Sequence, residues 1–230
     1  MRRRLIIRKR ERGISGRKRQ KNRTNKTDMT DKTNKTNNGG FFISFEGLEG
    51  AGKSTQVGVF ASRLKEEGRE VVATREPGGT RIGEQIRNIT HSVENVDLTA
   101  AAEAYLMAGA RAQHTREIII PALESGRIVV CDRFIDSSLA YQGFGRELGF
   151  EAILELNRMA IQGNIEHNKT DRTSKGDLLL PDITILLEIS LEEGMRRRNG
   201  TDKMDRLDLQ QKEFYRRVGD GYKRIVREYG

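Results

Sequence analysis

Apolar residues gather into runs and helical stripes only from residue 41 onward. Phe41-Phe42-Ile43-Ser44-Phe45 is dense and aromatic and predicts a buried strand. After a glycine-rich turn, Ser54 to Glu67 places Val57, Phe60, Ala61 and Leu64 on one face of a helix closed by Gly68. Glu70 to Thr74 predicts a second strand, and Arg81 to Thr90 a helix carrying Ile82, Ile86 and Ile89. Thr99 to Ser125 is alanine-rich and helical; Pro121 kinks it or opens a new segment, and Gly126 ends it. Ile128 to Cys131 is apolar throughout, as in a strand covered by helices on both sides. Helices are expected over 150–161, 191–198 and 209–229, a fourth strand over 182–189, and an exposed polar loop within 164–180 to which no function is assigned. Such alternation predicts an α/β fold with a parallel sheet and right-handed crossovers.

Residues 1–40 lack that periodicity. They cannot bury enough apolar surface to offset the entropy of ordering, so they are expected to form a disordered basic tail before a single domain over 41–230. The net charge of +9 changes meaning once it is located. Residues 1–38 hold fifteen bases and three acids, leaving 27 bases against 30 acids in the remainder. The tail alone has the charge for nucleic acid, and the slightly acidic domain does not. A nucleic-acid arm, an organelle presequence, a plain solvated tail and a translation start at Met29 are the readings open for it. One cysteine, Cys131, excludes an internal disulfide and a cysteine metal cluster and fits a reducing compartment. His91, His114 and His167 are scattered and read as ordinary surface or edge residues. No apolar run reaches the length of a membrane span.

The chemistry sits in the turn. Gly47-Leu48-Glu49-Gly50-Ala51-Gly52-Lys53-Ser54 satisfies G-x-x-x-x-G-K-[ST], and it follows a predicted strand and opens a predicted helix. Glycines let successive N–H groups face phosphate oxygens, and the helix adds its positive end. Lys53 can reach the β- and γ-phosphates of ATP, and the Ser54 hydroxyl can ligate Mg²⁺. Asp132, closing the strand 128–131, is the candidate second metal ligand, or simply turns the chain at a strand end. Arg133 beside it could hold an acceptor phosphate or make an ordinary surface pair. An acceptor that is itself a phosphate is already ionised at neutral pH. The residues to look for are therefore arginines and a nucleoside pocket, not a general base.

Phe45 to Thr55, then Thr74-Arg75-Glu76-Pro77-Gly78-Gly79-Thr80, then Asp132-Arg133-Phe134 through Gln142-Gly143 resemble the thymidylate kinases in order and spacing. Pro181 to Leu187 and Asp205-Arg206-Leu207-Asp208 extend the likeness over residues 41–229. The resemblance implies a P-loop nucleoside monophosphate kinase fold with helices on both faces and a short lid over about 195–208. It implies transfer from Mg·ATP to dTMP, a homodimer packed through helices and a cytoplasmic location. Glu49 would bind the deoxyribose 3′-hydroxyl, Glu76 and Pro77 would line the acceptor pocket, and Arg87 and Arg133 would hold the dTMP phosphate. Arg111 would bond a thymine carbonyl, Ser138 and Gln142 would meet the base edge, and Tyr141 would exclude a 2′-hydroxyl. Met107 stands where the family stacks an aromatic ring on the base. Gly50 stands where some members carry a P-loop arginine. The subtype implied is the one whose lid supplies it, with Arg197 and Arg206 as candidates and Arg196, Arg198 and Lys203 nearby. The resemblance also implies a further strand–helix unit after the helix over 209–229, without which a sheet edge is exposed. The alternatives are another nucleoside monophosphate kinase, or a truncated inactive homologue with a nucleic-acid-binding tail.

Overall fold

A computed structural model describes residues 4–9, 39–162, 178–198 and 205–229. Its centre is a five-stranded sheet in the order β1-β5-β2-β4-β3. The strands are β1 (Arg4–Lys9), β2 (Phe41–Glu46), β3 (Val71–Arg75), β4 (Ile128–Asp132) and β5 (Ile183–Glu188). Strands β2 to β5 run parallel, and β1 alone is antiparallel, paired with β5 from Arg4 opposite Glu188 to Lys9 opposite Ile183.

Alternation along β2 builds two cores. Ile43 and Phe45 face α1 (Lys53–Glu66), packing with Val57 and Val130. Phe42 faces the other way, against Val129, Cys131 and the larger helical layer. That layer contains α3 (Ala100–His114), α4 (Ile120–Glu124), α6 (Phe150–Ile161) and α8 (Lys212–Tyr229). Helix α2 (Arg81–His91) packs on α3, and α7 (Leu191–Arg198) follows β5. Asp182 pins the β5 register. Its backbone N–H donates to the Phe42 carbonyl at 2.8 Å, and its carboxylate accepts from the Phe42 N–H at 2.8 Å. This gives the Pro181-Asp182 pair a physical reason.

The elements agree with the sequence expectations to within a few residues, with three differences. First, Arg4–Lys9 is a strand where a tail without structure is expected. Leu5-Ile6-Ile7 is the one apolar triplet in the tail, and the edge of β5 supplies unpaired backbone groups for it; Ile6 packs on the main core. The rest of the tail lies outside the described residues. Second, the helix expected over 99–125 changes hydrogen-bonding at Thr115–Ile119, a π-helical turn ahead of Pro121. Proline has no N–H to donate, and the wider turn carries the helix past it. Third, Ile135–Ser138 is helical (α5) and continues as a π-helical segment over Leu139–Gly145. Its buried serines and glycines hide its helical periodicity. His167 and most of the polar loop expected within 164–180 lie outside the described residues.

Deleting residues 1–10, or replacing Ile6 by Asp, should expose the β5 edge. The expected outcome is a lower melting midpoint, by about 2–4 °C per kcal/mol lost, and association that grows with protein concentration. Calorimetry and light scattering measure both, and unchanged values would refute a structural role for β1.

Candidate active site

The functional residues converge where β2, β3 and β4 end. In open α/β sheets ligands bind beyond the carboxyl ends of the strands, because the following loops and helix N-termini gather there. The P-loop leaves β2 at Gly47. Gly52 adopts the left-handed region (φ 90°) immediately before α1, which lets the loop turn its amides inward. Gly50 lies against Gly194 of α7 so closely that a Cβ on it would collide with the Gly194 backbone. That contact seats the lid helix on the phosphate loop and brings the Arg197 guanidinium to the Gly50 carbonyl at 3.3 Å.

A cavity of about 470 Å³ opens beside this loop, within the range of small-ligand sites. Glu49, Gly50, Gly52, Lys53 and Ser54 of the phosphate loop line it, with Asp132, Arg133 and Arg197. Glu76, Pro77, Arg87, Met107 and Arg111 line it as well, together with Ser138, Tyr141 and Gln142. Of the remaining predicted residues, Ala51 is buried under the loop, while Gly47 and Leu48 face a second cleft of about 680 Å³ beside β5 and α8. Arg206 needs correction as a lid arginine. It is 2% exposed and points away from the cavity, its Nε donating to the Thr90 carbonyl at 3.0 Å and its Nη2 to Glu103. Arg198, also on the lid, does line the cavity and pairs with Asp205 and Asp208.

Charge placement is specific. Arg133 has a positive φ of 73°, a costly backbone for a side chain with a Cβ. From there its guanidinium donates to the Gly47 carbonyl at 2.9 Å, to Ser137 Oγ at 3.0 Å and to Glu49. It lies 5.0 Å from the Tyr141 ring centroid. Burial would raise the Glu49 carboxyl, but Arg133 and then Lys53 overcome it and hold the group at about 2. Lys53 is pushed down to about 8, by burial first and then by Arg133; its ammonium donates to the Leu48 carbonyl at 2.9 Å. Glu46, fully buried under the site, is raised to about 7 by desolvation and then by Asp136. It accepts from the Phe134 N–H at 2.7 Å and from Ser137 Oγ at 2.6 Å. Arg87 reaches the Pro77 carbonyl at 3.1 Å.

Ser54 Oγ donates to Asp132 Oδ2 at 2.5 Å. A hydroxyl and a carboxylate side by side at a phosphate loop are the hard oxygen donors that Mg²⁺ takes alongside phosphate oxygens. Among the described residues no cluster of three or more His, Cys, Asp or Glu is arranged to hold a metal by itself.

A family model described as thymidylate kinase matches residues 45–230. The chain belongs to the thymidylate kinase family. A thymidylate kinase of Bacillus velezensis is 45% identical over 192 residues, covering 83% of this chain and 84% of that protein. That of Geobacillus thermodenitrificans is 43% identical over 192 residues, covering 83% and 79%. The crystal structure of thymidylate kinase from Ehrlichia chaffeensis superposes with a TM-score of 0.62 at 33% identity, covering 83% of this chain and 86% of that one.

Within this thymidylate kinase fold, sequence reasoning missed two histidines and two glutamates. His114 is wholly buried, not at a surface; it bonds Glu76 at 2.9 Å and Thr74 at 2.6 Å. His91 lines the cavity, its pKa pushed down to about 4 by burial and then by Arg87. Glu46 is buried against Ser137 and Glu103 against Arg146 and Arg206, and a lone carboxylate in a strand or helix carries no motif. A glutamate on the buried, alanine-rich face of α3 was the available signal for Glu103.

The Glu49–Arg133 pair predicts an acid dependence. The folded pKa of Glu49 lies at about 2 against an ordinary 4.5, so its contribution to stability is complete above about 4.5 and drains away as pH falls toward 2. Glu49→Gln should therefore be less stable than the wild type at neutral pH, and the gap should close as the medium is acidified. Urea unfolding across that range checks it; a gap independent of pH would refute the assignment.

Proposed function

We infer that the protein transfers the γ-phosphoryl group of ATP to dTMP, giving ADP and dTDP in the route to dTTP. The observation that carries this reading is one cavity lined both by the phosphate loop and by Glu76, Arg87, Arg111, Arg133, Ser138, Tyr141 and Gln142. Lys53 and the loop amides hold the triphosphate, and Arg133 and Arg87 hold the acceptor phosphate. Arg197, delivered by α7, lies over the loop to meet charge developing on the moving group. Positioning and positive charge are what phosphoryl transfer asks of a protein. The acceptor oxygen is already ionised, so no general base is needed.

Ser54 and Asp132 are the residues that would hold Mg²⁺, which on binding supplies charge neutralisation on the phosphate oxygens. At the pocket end, Glu49 accepts the deoxyribose 3′-hydroxyl, Tyr141 closes the space of a 2′-hydroxyl, and Glu76 and Pro77 form the wall. Arg111 donates to a thymine carbonyl, Ser138 and Gln142 meet the base edge, and Met107 offers its polarizable sulfur to the ring face. Residues 41–230 act as one kinase domain with a lid over about 195–208, and the chain works in the cytoplasm. No helix among the described residues is long and apolar enough to cross a membrane.

Turnover of a panel of nucleoside monophosphates, read by ADP release, tests the assignment. dTMP should be the best acceptor, and Lys53→Ala should lose about two to three orders of magnitude in kcat. Faster turnover of AMP or UMP than of dTMP would sink the reading.

A homodimer is part of the proposal. Ile89 on α2, Tyr105 on α3 and Met159 on α6 are large apolar side chains left exposed on helices that pack side by side. Tyr105→Asp should shift the protein to monomer in sedimentation, whereas a wild-type protein monomeric at micromolar concentration would exclude the dimer.

A further inference from the structure

Glu103 is fully buried, yet it touches neither the phosphate loop nor the cavity. Its carboxylate gathers donors from three residues. Gln142 Nε2 reaches Oε1 at 2.7 Å, Arg146 Nη2 reaches Oε2 at 2.9 Å, and Arg206 Nη2 also donates to Oε2. We propose that Glu103 is a positioning residue for base specificity. It fixes the Gln142 amide so that the carbonyl oxygen faces the acceptor pocket, admitting a pyrimidine with N–H at ring position 3 and rejecting one with a lone pair there. The proposal rests on the reading that the acceptor is dTMP.

The chain of reasons is chemical. Burial alone would favour the protonated acid, but Arg146, then Arg206 and Gln142, outweigh it and hold the Glu103 carboxyl below its ordinary range. An ionised carboxylate only accepts hydrogen bonds, so the amide end facing it has to be the NH₂. The orientation of Gln142 follows from that constraint, independently of how an amide is drawn. Gln142 is nearly buried and lines the cavity, and among the described residues no donor reaches its Oε1.

Arg111 completes the pattern. Its guanidinium has five N–H groups. Four are taken: Nε by Glu76 at 2.8 Å, Nη1 by Ser138 at 2.9 Å and Asn157 at 2.5 Å, and Nη2 by the Phe134 carbonyl at 3.0 Å. One Nη2 N–H remains in a residue that also lines the cavity. A fixed donor and a fixed acceptor suit the C4 carbonyl and N3–H of thymine or uracil. Cytosine presents an amino group and a lone pair at the same places and opposes both. A site built of buried polar groups discriminates strongly, because the wrong base leaves them unpaired.

The test measures kcat/KM of the full-length protein with dTMP, dUMP and dCMP as acceptors. In Glu103→Gln the neighbour of Gln142 is no longer a pure acceptor and the amide can turn over. The dTMP:dCMP ratio should fall by about tenfold to a hundredfold, while the dTMP:dUMP ratio stays unchanged. Gln142→Met, which leaves Glu103 with both arginines, should lower the same ratio and decides the matter if Glu103→Gln does not fold. Equal losses on all three acceptors would make Glu103 merely structural and overturn the proposal. So would an unchanged dTMP:dCMP ratio in Gln142→Met. A wild type that prefers a purine monophosphate would instead remove the functional reading, and the inference with it.

Discussion

A site that must take in two anions side by side has to keep several guanidinium groups out of water and aimed at one cleft. An isolated buried charge is costly, and stripping one partner from a buried pair destabilises a fold by about 3–5 kcal/mol. The two most deeply buried arginines of this cavity each come with a carboxylate: Arg133 with Glu49, and Arg111 with Glu76. Behind them Arg206 and Arg146 share Glu103. These pairs fix where positive charge stands before any ligand enters. The sheet's role is to deliver their backbones to adjacent strand ends.

The same constraint explains why the framework is stiff where the chemistry is. Glu76 follows β3, Arg133 follows β4 and Glu49 follows β2, and the backbone links between these ends are short. The Glu76 N–H donates to the Asp132 carbonyl at 3.0 Å, and the Arg133 N–H donates to the Phe45 carbonyl at 2.9 Å. Movement of one loop is thereby felt at its neighbours. Helix α7 meets the phosphate loop through a glycine-on-glycine contact between Gly50 and Gly194 and through one arginine on a loop carbonyl. Side-chain bulk is absent at both glycines, so α7 can approach the phosphates without being locked to them.

Much of this was legible in the residues. Strands β2, β4 and β5 are apolar enough to announce themselves, and the P-loop carries its own geometry in its glycine spacing. The three motifs following β2, β3 and β4 place about two thirds of the cavity residues. What stayed hidden was the partner of each charge. His114 looks like any helical histidine until its ring is found between Glu76 and Thr74, and the partner of Glu103 is unknown until Arg206 arrives from 103 residues away. Long-range pairing leaves no periodic trace. The edge strand β1 was hidden for a different reason: three apolar residues among arginines cannot form a strand alone and need the open side of β5 to complete them.

Arg206 sharpens the choice of lid arginine. Its Nε and Nη2 are engaged by Thr90 and Glu103, and its own N–H by the His91 carbonyl at 2.9 Å. Bringing it to the phosphates would strip the buried Glu103 of one of its two cations. Arg198 is nearer but is held by two carboxylates, Asp205 and Asp208. Arg197 is tied to Glu193, which is partly exposed, and already touches the carbonyl of Gly50. A partly exposed ion pair is worth little, and Arg197 is held by one carboxylate where Arg198 is held by two. Of the three, Arg197 is therefore the least firmly held, and Arg206 is fixed in the core by Thr90, His91 and Glu103.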